Sequence, residues 1–207
     1  RRGMALSHNA IGKALSYQGR FEDALLKFAQ AISLIGELIS EDPENESLQQ
    51  TLSGFWDNVG HASGAIGKRE ASLEAYNEGL SIAELLAEVQ PSSVAYRHDL
   101  AVSKLNVGTA LIKSGRLDEA IKAFEVGHEL LKDVVRGNPE NASWTLNLIH
   151  AHECLGDAFV MQGWLTEAIS EYQAQEEHAR KLVASDPENT EYKLGLVIAY
   201  DRMAKAF

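Results

Sequence analysis

The chain has 207 residues, 45% of them hydrophobic and 24% charged, with 16 Gly, 4 Pro and a single Cys, an ordinary globular composition with length enough for a large core. That composition excludes collagen, a disulfide scaffold and disorder. A surplus of 30 Asp and Glu over 19 Lys and Arg leaves a net charge of −11, so nucleic acid and membrane surfaces are not expected partners, and no apolar run is long enough to span a bilayer.

The predicted elements follow from a repeat. Pro43, Pro91, Pro139 and Pro187 are each 48 residues apart, inside the strings EDPEN, VQPSS, GNPEN and SDPEN. The same step relates Gly12, Gly60, Gly108 and Gly156, and again Gly19, Gly67, Gly115 and Gly163. In chain order, a first helix runs to a turn at Gly19 and a second from there to the break at Pro43. Turns at Gly67, Gly115 and Gly163 and breaks at Pro91, Pro139 and Pro187 divide the next three units in the same way. A ninth helix follows Pro187. The periodicity is plainest in the third unit, where Tyr96, Leu100, Val107, Ala110 and Leu111 form one helical stripe. A second comprises Leu117, Ala120, Ile121, Phe124, Gly127, Leu131, Val134 and Val135. Gly115 between them is a left-handed helix cap, and acidic pairs such as Asp118-Glu119 suit the start of the helix that follows. Short turns make each helix pair antiparallel.

A glycine inside a helix costs about 1 kcal/mol against alanine. Its recurrence at Gly12, Gly60, Gly108 and Gly156 calls for an offsetting gain, which close packing provides. The second helix is expected to bring in Ala24, Ser72, Ala120 or Ala168, with the aromatics Phe28, Tyr76, Phe124 and Tyr172 one turn on.

Ile11-Gly12, Ala24 and Phe28, with Val59-Gly60, Ser72 and Tyr76, Val107-Gly108, Ala120 and Phe124, and Leu155-Gly156, Ala168 and Tyr172, resemble the tetratricopeptide repeat along the whole chain. Units of 48 residues exceed the usual 34, which resembles long-repeat bacterial arrays carrying strings such as YRHDLAVSKLNVG at 96–108. The resemblance implies an all-α, right-handed α-solenoid of four antiparallel helix hairpins plus a final helix. It also implies protein binding rather than catalysis. The expected domain is a single solenoid over 1–207, with repeats at 1–43, 44–91, 92–139 and 140–187 and a partial one at 188–207. Helices average about 19 residues, or roughly 28 Å. The N-terminus aligns partway into a unit, and Ala206 and Phe207 align with Ala158 and Phe159, so the chain reads as a piece of a longer, cytoplasmic protein.

No phosphate loop, dinucleotide fingerprint, nucleophile elbow or paired metal motif is present. His150 and His152 lie two residues apart on a helix and face different ways, so the cluster His150-Ala151-His152-Glu153-Cys154 does not suggest a metal site, and Cys154 reads as a small buried residue. Neither cofactor nor enzyme activity is expected. In resembling arrays the first helix of each hairpin lines the concave face. That places Asn9, Lys13, Asp57, His61, Val102, Leu105, Thr109, Ile112, His150, Glu153 and Asp157 on a partner-binding surface. These columns vary between units where core columns repeat, as a surface reading a non-repeating partner would. Val102, Leu105 and Ile112 would form its apolar patch. The expected function is a scaffold binding a protein or peptide in this groove. The alternative is a sensor array whose response to a peptide or small ligand controls a fused effector domain. Leu194, Val197 and Tyr200 on the last helix are expected to mediate self-association.

Overall fold

The glycine and proline columns divide the chain into helices as expected. The computed structural model describes residues 1–206, so Phe207 lies outside the described residues. Over them run α1 Arg2–Tyr17, α2 Phe21–Glu41, α3 Glu46–Ala65, α4 Arg69–Val89, α5 Val94–Lys113, α6 Leu117–Gly137, α7 Ala142–Gln162, α8 Leu165–Ser185 and α9 Thr190–Ala206. No strand occurs among the described residues.

Gly19, Gly67, Gly115 and Gly163 close α1, α3, α5 and α7 with φ between 74° and 82°, the left-handed region that only glycine enters without strain. The proline strings start helices as well as stopping them. Asn45, Ser93 and Asn141 each cap the following helix, their side-chain oxygens accepting from the backbone N–H of Leu48 at 3.1 Å, Tyr96 at 3.4 Å and Trp144 at 3.1 Å. A cap of this kind contributes about 1 kcal/mol. The even helices have no side-chain cap; acidic residues in the first turn, such as Glu22 and Asp23 in α2 or Asp118 and Glu119 in α6, favour their positive ends instead.

The hairpin seams are close-packed, with one difference from the sequence expectation. Ala24, Ala120 and Ala168 are buried as expected, and the Ser72 hydroxyl donates to the Gly60 carbonyl at 2.7 Å. What occupies the glycine notch, however, is the aromatic ring itself. A Cβ on Gly60 would stand 2.6 Å from Tyr76 Cδ1 and one on Gly108 2.5 Å from Phe124 Cε1, and Gly12 and Gly156 are covered in the same manner by Phe28 and Tyr172. The ring takes the space that a side chain at the glycine would fill.

Each helix packs on its neighbours in sequence. Beyond these, only α1 with α3, α3 with α5, α5 with α7 and α7 with α9 approach closely, while no two even helices do so. Packing tight on one side and open on the other curves the array, with the odd helices inside. The apolar core is a row of seam clusters. At the C-terminal end, Tyr192 and Leu196 of α9 pack around Ile149, Ala179 and Leu182, and Met203 joins the larger central cluster.

Candidate partner-binding groove

Of the predicted surface residues, all but Asn9 and Leu105 line one of three openings along the odd helices. The first, of about 400 Å³, is framed by Lys13, Phe28, Asp57, His61, Tyr76 and Asn106. A second of about 280 Å³ lies between Gly54, Asp57, His98, Asp99 and Val102. The third, of about 260 Å³, is bounded by Thr109, Ile112, His150, Glu153, Asp157 and Met161. Asp57 belongs to the first two. One of its oxygens, Oδ1, is buried with no hydrogen-bond partner, and burial raises its carboxyl to about 6, opposed by Asn106 and reinforced by the charge of Asp99. The same burial, followed by the charge of Asp57, pushes the Tyr76 hydroxyl up.

Polar side chains link successive inner helices at a step of one repeat plus one residue. Asn58 Nδ2 donates to Asn9 Oδ1 at 3.0 Å, Gln50 Nε2 to Asp99 Oδ2 at 2.6 Å, and Asn147 Nδ2 meets His98 Nε2 at 2.8 Å. The fourth link joins Arg202 to Glu153 at 2.5 Å, and the same guanidinium also engages Asp157, to which the Tyr172 hydroxyl donates at 2.8 Å. Glu153 and Asp157 therefore line the groove with their charges already answered from α9. Asn9 is likewise engaged.

Two expectations need correction. Leu105 is only 3% exposed and forms no groove floor. The reason lies on α6, where Gly127 has no side chain: a Cβ there would meet Leu105 Cδ2 at 3.0 Å, so the leucine fills that space and is drawn into the core. Val102 and Ile112 remain half-buried at the groove, and Asn106, one residue beyond Leu105, faces it instead. Cys154 is half-buried rather than enclosed, its Sγ 3.5 Å from Nε2 of the exposed His150. Cys154 and then Glu153 favour the charged imidazole and raise His150.

No protein-family model and no curated protein matches the sequence. Among solved structures, a kinesin light chain-like protein of Podosopora anserina with nearly identical TPR-like repeats superposes with a TM-score of 0.66 over 100% of this chain and 86% of its own, at 15% identity. A single-substitution form of that protein gives 0.68, covering 97% of this chain and 83% of that one at 14% identity. The fold is TPR-like. BtubC from P. vanneervenii superposes at 0.58, covering 99% of this chain and 85% of its own, at 14% identity. Such identities speak to the TPR-like architecture alone. No described helix of this TPR-like array is long and apolar enough to cross a membrane.

Proposed function

We propose that this chain is a protein-interaction scaffold whose inner face takes an extended peptide or protein segment, with Asp57 receiving a hydrogen-bond-donating or cationic side chain of that segment. The observation that carries this reading is the unpartnered, buried oxygen of Asp57, a residue that lines two openings, the first walled by Phe28, Tyr76 and His61 and the second by His98, Asp99 and Val102. A lysine, arginine or amide entering there would satisfy that oxygen and favour the ionised carboxylate. Lys13, Thr109 and His150 would read neighbouring positions, Val102 and Ile112 would take apolar side chains, and the TPR-like fold supports binding over catalysis.

Selection of peptides from a displayed library on the immobilised protein tests it. Ligands that emerge are expected to lose about tenfold or more in affinity on Asp57→Asn or Ile112→Glu, the cost of a lost charged hydrogen bond or of a charge in an apolar contact. Peptides whose affinity neither variant changes would place binding off this face.

The end of α9 leads to a second expectation. Leu194, Val197 and Tyr200 are 58%, 60% and 41% exposed on a single helix. Sedimentation over a wide concentration range is expected to show self-association of this chain that Val197→Glu and Tyr200→Glu abolish; a monomer at hundreds of micromolar would refute it.

A further inference from the structure

Repeats allow each position to be compared with its equivalents, and one seam departs from the rest. Where α2 and α4 carry Ile32 and Leu80, α6 carries His128; where α2 carries Lys27 and α4 and α6 carry Ala75 and Ala123, α8 carries Glu171. His152 of α7 completes the group. The Nδ1 of His152 lies 2.7 Å from Glu171 Oε2, the Nε2 of His128 lies 4.0 Å from the same oxygen, and one donor atom from each of the three falls within 4.8 Å of the others. Both imidazoles are buried and their ring centroids are 4.4 Å apart. His128 Nε2 has no hydrogen-bond partner, although its residue is only 7% exposed and the atom points toward Glu171. One turn along α8, Gln175 is fully buried with neither amide atom bonded. Unsatisfied polar groups of this kind are rare in a packed interior.

We propose that His128, His152 and Glu171 form a binding site for one divalent transition-metal ion of the Zn²⁺ class, through His128 Nε2, His152 Nδ1 and a Glu171 carboxylate oxygen, with water as fourth ligand. Two imidazoles and a carboxylate are a donor set that suits zinc. Around a tetrahedral zinc with bonds of about 2.0–2.2 Å, donors stand roughly 3.4 Å apart, so the two measured separations straddle the required one and each changes by less than about 1 Å. The ion would join α6, α7 and α8. It would thereby fix the angle between the last two hairpins and the width of the groove beside His150 and Asp157.

Titration of the purified chain with Zn²⁺ against a chromophoric chelator, with Mg²⁺ as control, tests this. One equivalent is expected, with Co²⁺ giving the visible bands of a four-coordinate site and no thiolate charge-transfer band. His128→Leu and Glu171→Ala restore the residue types of Leu80 and Ala123 in the preceding seam, so both are expected to fold, as circular dichroism would report. Each is expected to weaken binding by about 100-fold or more, since a lost ligand costs at least what a lost hydrogen-bond partner of a ligand does. Cys154→Ser and His150→Ala leave it unchanged. No stoichiometric uptake of Zn²⁺ would overturn the proposal, and so would uptake lost in Cys154→Ser but retained in Glu171→Ala.

Discussion

Phe124→Ala is expected to lower the free energy of unfolding by about 3–5 kcal/mol, because the ring is buried and its removal leaves a cavity between two helices held at a fixed distance. Gly108→Ala is expected to cost about 1–3 kcal/mol by overpacking, even though alanine is the better helix former by about 1 kcal/mol. In the two together, the added methyl has no ring to meet, and the propensity gain stands alone. The sign of Gly108→Ala should therefore reverse in the Phe124→Ala background, a coupling of more than about 1 kcal/mol. Urea unfolding of the four proteins measures the cycle, and additive effects would refute ring-on-glycine packing.

The second large effect concerns Asp57. Its carboxyl titrates near 6 in the folded chain against an ordinary value of 3.8. Between those values the native state holds a proton that the unfolded chain has released, so the contribution of Asp57 to stability is full below pH 3.8, falls as pH rises through 6, and is flat above. The loss is about 2–3 kcal/mol. Asp57→Asn should stabilise by about that amount at neutral pH and have little effect near pH 3.5. Difference titration of wild type and variant by chemical unfolding isolates this group from the other carboxylates. A variant less stable at neutral pH would mean that the charged form is satisfied in the groove. Stabilisation together with loss of peptide binding would mark Asp57 as held for recognition at the expense of stability.

Much of the fold was legible because the residues that shape it act locally. Pro187 stops a helix and Gly163 turns one through their own backbone preferences, and a strict 48-residue step makes such signals unmistakable. The groove was less legible, since exposure is decided by what lies across the seam. Nothing near Leu105 reveals that Gly127, on another helix, leaves room to bury it. Arg202 reaches Glu153 and Asp157 across a whole repeat, a link visible only once α7 and α9 stand side by side. The His128, His152 and Glu171 group escaped a search for local spacing for the same reason. Its signal was nevertheless present in the columns, as histidine where the two earlier units keep Ile32 and Leu80 and glutamate where the two preceding units keep Ala75 and Ala123.

The restriction of close approach to adjacent and next-adjacent helices also shapes how the chain acquires and loses order. No native contact requires closing a loop much longer than one repeat, so the entropic barrier to folding stays low and any hairpin can nucleate the rest. Among the described residues, helix α9 leans on α7 and α8. Because Arg202 belongs to α9, any displacement of that helix from α7 would strip the counter-charge from Glu153 and Asp157 and turn this stretch of the groove abruptly anionic.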